Sequence, residues 1–181
     1  MITLLPVEEA KKRARASGVE DRFVQSHAFR TLLHSPRAAA AISNLLKTLM
    51  FENTLNTRLR ELVIMRTGWR TRSEYEFAQH ARLSRELKIS EEDILGVREP
   101  EKCTSYNELD RAVLRMTDEL IDNADVTSQT WAVLQQSLSE AELVELLLTA
   151  GVWRGMAGYL KAARLTLDEG LPGWPGGQAP A

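Results

Sequence analysis

Apolar residues recur at steps of three and four along most of the chain, and no alternating run of β-branched residues framed by hairpin turns breaks the pattern. The periodicity predicts an all-α protein. A first helix is expected from about Pro6 to Ala16 and a second from about Glu20 to Leu33. The third opens at "SPRAAAAISNLLKTLM", where Ser35 can accept a bond from a first-turn N–H, Pro36 suits the first helical position, and Ile42, Leu45, Leu46 and Leu49 form the inward stripe. After Asn56 or Thr57 as a cap, a fourth helix carries Leu59, Leu62 and Val63, and a fifth runs from about Glu74 to Leu87. "KISEEDILGV" then opens a short helix capped by Ser90 with Asp93 in its first turn.

"REPEKCTSYN" reads as a polar connector between two halves. Beyond it Leu109, Ala112, Val113, Met116 and Leu120 trace one helical face, and Thr127 or Ser128 caps a helix containing Trp131. Ser139 and Glu142 form a capping box for the last long segment, whose Gly151, Gly155 and Gly158 suit either close helix packing or a break. Laying "RELVIMRTGW" over "AELVELLLTA" aligns Glu61 with Glu142 and His80 with Lys161, a weak internal duplication. The expected organisation is one helical domain over residues 1–170, with a first unit at about 20–98 and a second at about 105–170. Residues 171–181, "LPGWPGGQAPA", read as a disordered Pro/Gly-rich tail.

Ser73, Glu76 and His80 stand at i, i+3 and i+7 of the fifth helix, within one narrow arc, so a carboxylate and an imidazole fall in the core-facing stripe. A buried carboxylate costs several kcal/mol unless it is paired. Glu61 on the preceding helix comes within reach if the two helices pack as an antiparallel pair. One reading makes Glu76 and His80 a structural i,i+4 pair between helices. The other makes the group a proton-transfer site, in which burial raises a carboxyl pKa and a second carboxylate keeps the histidine poised near neutral pH. Arg66, Arg70 and Arg72 surround Trp69 as nearby cations, and Arg66 falls on the apolar side of its helix.

Composition narrows the partners. Lys+Arg 23 against Asp+Glu 25 gives a formal charge of -2 and a pI near 6.0, which supplies no basic field for nucleic acid or an anionic membrane. No apolar run approaches a membrane span and the N-terminal run is too short for a signal peptide, so a soluble, cytoplasmic protein is expected. The single cysteine, Cys103, excludes an intrachain disulfide and reads as a loop thiol. His27 and His34 lack the companion ligands of a metal site, Trp131 and Trp153 read as core or interface, and no phosphate loop or nucleophile elbow is present. Neither a metal nor a cofactor is expected.

Glu61, followed twelve positions later by Ser73 and then by Glu76 and His80, has the spacing of the glutamate, Cys-x-x-Cys and histidine in the alkylhydroperoxidase D (AhpD) family. "SEYEFAQH" followed by "LKISEEDI" resembles the carboxymuconolactone decarboxylase branch of that superfamily, and the likeness extends from about Phe29 to Val97. Ser73 and Glu76 replace both cysteines, which removes thiolate attack on a peroxide and disulfide recycling. Lys88 stands where the family usually has glycine. The resemblance implies an AhpD-like helical bundle, assembly as trimers or hexamers, and cofactor-free loss of CO2 from a carboxylated lactone, or related proton transfer on a small carboxylated acid. His80 is then the acid, Glu61 or Glu76 sets its protonation, and Ser73, Tyr75, Arg66 and Trp69 bind substrate. The alternatives are a non-catalytic helical oligomer that keeps the Glu-His pair for structure and, third, a hydroperoxidase-like antioxidant protein.

Overall fold

A computed structural model describes residues 2–180. Nine α-helices make up the described fold: α1 (Val7–Ser17), α2 (His27–Leu32), α3 (Pro36–Phe51), α4 (Thr57–Arg70), α5 (Glu74–Glu86), α6 (Glu91–Gly96), α7 (Glu108–Asn123), α8 (Ser128–Ser137) and α9 (Glu140–Ala162). Short 3-10 turns at Asp21–Gln25 and Pro175–Gly177 complete it. No strand occurs among the described residues, so the all-α reading holds.

Helix α4 is the axis of the molecule. From Leu59 to Gly68 every residue is buried, because α5, α7 and α9 cover it on three sides. A helix buried all round should be apolar. This one carries Arg60, Glu61 and Arg66, and each is matched by a charged or polar partner. Three residues, Thr71 to Ser73, connect it to α5, a length that returns the chain antiparallel. Gly68 lies against Phe77 and Glu61 against His80, the descending register that such a hairpin requires. The approach is close at Gly68, where a Cβ would stand 2.9 Å from the Phe77 nitrogen and 3.2 Å from its Cα.

Helices α1 to α3 enclose their own small core of Leu5, Ala10, Val24, Phe29, Leu33 and Ala39. They reach the main bundle where Leu49 meets Ile64 and Trp153. The helix expected over 20–33 is split, because Ser26 is extended and its hydroxyl accepts the Phe29 N–H, capping a new helix. Ser35 makes no such side-chain bond, while Pro36 does open α3. The inward stripe of α3 is rotated from the expected one: Ala39, Ser43 and Leu49 are buried, and Leu45 is exposed.

Farther along, Asn56, Ser90, Thr127 and Ser139 cap their helices with side-chain bonds, and Ser139 with Glu142 completes the capping box. Helix α9 runs 23 residues through its three glycines. A Cβ on Gly151, Gly155 or Gly158 would meet nothing within 4 Å, so they neither break the helix nor admit a neighbour. Lys88 ends α5 with φ 61, the left-handed conformation that the glycine of the resembled family would adopt without strain.

The expectation for the tail needs correction in part. Two residues of the segment pack onto the bundle: Leu171 is buried, and Trp174 lies 5.4 Å ring to ring from both Trp69 and Phe77 while its backbone N–H donates to Glu74 Oε1 at 3.0 Å; Pro172, Gly176 and Gly177 are exposed. Proline and glycine suggested disorder, but one aromatic had a groove to fill. The tail expectation for Ala181 lies outside the described residues. Cys103 does stand in the loop between α6 and α7, where it is buried against Gly96 with Ser105 Oγ 3.2 Å from its sulfur and joins the core cluster.

Candidate active site

Helix α5 brings Tyr75, Glu76, Gln79 and His80 to one wall of a pocket of about 250 Å³. The opposite walls are apolar, from Phe29, Leu46 and Met50 on the N-terminal unit and Trp153, Met156 and Leu160 on α9. The pocket therefore sits between the N-terminal helices and the main bundle. Arg82, Leu83 and Glu86, one and two turns farther along α5, reach its edge.

Behind that wall a chain of hydrogen bonds runs through the core. The Trp153 indole donates to His80 Nε2 at 2.9 Å, and His80 Nδ1 meets Glu61 Oε2 at 2.8 Å. Glu61 Oε1 accepts from Arg60 Nε at 3.0 Å, and Arg60 donates onward to the Met50 carbonyl at 2.7 Å. Every charged member has its partner. Burial alone would raise the Glu61 carboxyl, but the facing His80 and the Arg60 guanidinium outweigh it and hold its pKa below the ordinary carboxylate value.

Glu76 stands outside this chain. It is 2% exposed, and neither carboxyl oxygen has a hydrogen-bond partner among the described residues. Burial pushes its pKa well above that of a free glutamate, so the neutral acid is the favoured form. Glu76 and His80 share a helix face as the spacing predicted, but they do not bond to each other. The structural pair is Glu61 with His80. Ser73 is buried as well, with no partner for its hydroxyl among the described residues, and it does not line the pocket.

Tyr75 lines the pocket with its hydroxyl tied back. It donates to Asp168 at 2.9 Å and accepts from the Ala28 N–H at 3.2 Å and Gln79 at 3.1 Å. Burial raises its pKa and the Asp168 carboxylate adds to this, which keeps the phenol neutral. Asp168 also accepts from Gln79 and from the His27 N–H, and so fastens the segment after α9 to the pocket wall.

Arg66 and Trp69 lie elsewhere. Arg66 forms a two-pronged pair with Asp118 at 2.7 and 2.6 Å and donates to the Val97 carbonyl, so its charge is committed within the bundle. Trp69 packs with Phe77 and Trp174. Among the described residues lining the pocket, Arg82 is the one guanidinium or ammonium. The sequence reading left Arg82 and Gln79 out of the site, and read Trp153 as core or interface without its bond to His80. The first two fall off the central arc of α5, and Trp153 is distant in sequence, with nothing local to mark its histidine partner.

No curated protein matches the chain in sequence. The sequence profile of the carboxymuconolactone decarboxylase family matches residues 36–119, which span α3 to most of α7 and include Glu61, Ser73, Glu76 and His80. Among solved structures, a protein of unknown function from Agrobacterium tumefaciens, with a proposed role in AhpD antioxidant defence, aligns with TM-score 0.70 and 20% identity over 75% of this chain and 94% of its own. The debrominase Bmp8, in a cysteine-to-alanine form bound to 2,3,4-tribromopyrrole, aligns with TM-score 0.78 and 15% identity over 93% and 92%. An uncharacterised peroxidase-related protein from Ralstonia eutropha JMP134, with an AhpD core, aligns with TM-score 0.73 and 15% identity over 91% and 87%. At these identities the structures establish a shared AhpD-like helical fold, and the sequence match to the carboxymuconolactone decarboxylase family spans the site helices.

Proposed function

We propose that the protein is a cofactor-free acid/base enzyme in which the neutral carboxyl of Glu76 supplies a proton to a small, largely apolar substrate. The observation that carries this reading is an acid with no protein partner, fully buried at the wall of an apolar pocket. Burial favours the proton-bearing donor form of such a group, and the low-polarity surroundings strengthen its bond to any oxygen or carbon that gains negative charge. His80 is a poorer donor, because Glu61 and Trp153 occupy both ring nitrogens.

For a carboxylated lactone the step balances simply. The carbon–carboxylate bond breaks to release CO2, its electron pair remains as a dienolate, and the Glu76 proton is transferred to carbon. The resulting Glu76 carboxylate takes a proton back from solvent. Arg82 at the pocket edge is the cation available to a substrate carboxylate, although Glu86 lies beside it at 3.8 Å. Peroxide reduction through a thiol pair is disfavoured, since the sole cysteine is Cys103, packed against Gly96 and away from the pocket.

The test incubates carboxylated lactones and β-keto acids with the protein in deuterium oxide, following CO2 release and carbon deuteration by NMR. Glu76→Gln should abolish both while its thermal stabilisation by the same compounds persists. Equal turnover in the variant would overturn the assignment.

We also propose that the chain self-associates through the outer face of α9, where Val144 and Leu148 are 56% and 47% exposed and the glycines present a smooth surface. Light scattering should give a multiple of 20.4 kDa. A monomer at micromolar concentration would refute this.

A further inference from the structure

We propose that Trp153 is a positioning residue that locks His80 in one tautomer and withholds its Nε2 from proton exchange with the pocket. An indole nitrogen can only donate, so the atom facing it at 2.9 Å must offer a lone pair. Nε2 therefore carries no hydrogen. A neutral imidazole then has its proton on Nδ1, and that is the atom facing the Glu61 carboxylate at 2.8 Å. The two contacts require the same tautomer. Placing a proton on Nε2 would set two N–H groups against each other at hydrogen-bonding distance.

The donor is as firmly held as the acceptor. Trp153 is 4% exposed in the middle of the 23-residue α9, packed with Leu49 and Ile64, and its ring stands edge-on to the imidazole at 5.7 Å and 81°. Reaching Nε2 would require breaking this packing. At the far end, Arg60 donates both to Glu61 Oε1 and to the Met50 carbonyl, so the bonds from Trp153 through His80 and those from Arg60 converge on the Glu61 carboxylate and fix its orientation. His80 thus acts as a rigid spacer between an indole and a buried carboxylate. This inference does not depend on turnover by the pocket.

The test is a long-range proton–nitrogen correlation spectrum of the histidine rings in the uniformly 15N-labelled protein at neutral pH. In the wild type His80 should show a proton-bearing Nδ1 and an Nε2 of the unprotonated kind. In Trp153→Phe the Nε2 signal should move, through a bound proton or through exchange between tautomers. A wild-type spectrum with the proton on Nε2, or a Trp153→Phe ring spectrum unchanged from wild type, would overturn the proposal. Should the variant fail to fold, the wild-type spectrum still decides the tautomer, and slow solvent exchange of the Trp153 Nε1–H is the second readout. Failure of the Glu76 proton-donor reading would appear as turnover by Glu76→Gln and would leave these spectra untouched.

Discussion

Glu76 and His80 stand one helical turn apart on the same face of α5, yet no hydrogen bond joins them: His80 gives both ring nitrogens to Glu61 and Trp153, and Glu76 has no partner among the described residues. The two groups therefore belong to different electrostatic systems. One is a saturated chain that holds the helices together, and the other is an unsatisfied acid whose burial favours its neutral form.

That burial sets a pH signature. Below the pH at which a free glutamate ionises, at about 4.3, the carboxyl is protonated in both folded and unfolded chains and costs nothing extra. As pH rises toward the elevated native value, the unfolded chain releases its proton while the native state retains it, so stability falls with pH. Glu76→Gln removes this slope. Melting curves from pH 4 to pH 9 should show the variant gaining on the wild type as pH rises, and parallel curves would mean that Glu76 is not buried as an acid.

Glu61→Gln should behave in the opposite way. Glu61 is fully buried and accepts from both Arg60 and His80, and an amide cannot present acceptors to both. Breaking a buried pair in this manner costs about 3 to 5 kcal/mol. A fall in melting temperature of about 6 to 20 °C is expected for a chain of this length. A variant as stable as the wild type would show that the chain from Arg60 to Trp153 is not structural.

Lys88 holds φ 61 at the end of α5. A left-handed conformation strains a residue that carries a Cβ by about 1 to 2 kcal/mol, part of which glycine returns as unfolded-state entropy. Lys88→Gly is expected to raise stability by about 0.5 to 1 kcal/mol in denaturant titration with an unchanged m-value. A destabilised variant would show that the lysine side chain contributes more than its backbone strain.

Trp174→Ala should destabilise the protein by about 1 to 3 kcal/mol, below the value for a fully buried aromatic because Trp174 is only partly covered. The measurement is again the denaturation midpoint, with Gln178→Ala as the control. No effect would return this segment to the disorder that its composition suggested.

Much of the fold was legible because its information is local. Caps such as Ser90 and Ser139, the run of Leu59, Leu62 and Val63, and the shared face of Glu76 and His80 all follow from spacing along one helix. The site was only half legible. Glu61, Glu76 and His80 do gather near the pocket, but hydrogen bonding between helices decides which carboxyl holds the histidine, and spacing cannot rank Glu61 against Glu76. Arg66 was misplaced because its apolar neighbours gave no hint of Asp118, 52 positions away, and Trp174 because composition does not reveal a groove between Trp69 and Phe77.

The contact between Gly68 and Phe77 lies near the loop end of the α4–α5 hairpin, and Glu61 is seven residues away along α4, about 10 Å at the helical rise. A methyl group at position 68 would act as a wedge near the hinge of a pair of scissors, and the opening would widen with distance from it. The 2.8 Å bond between Glu61 and His80 lies toward the blades. Alignment of the whole site therefore rests on an atom that position 68 lacks, and a position without any functional group governs whether the functional groups meet.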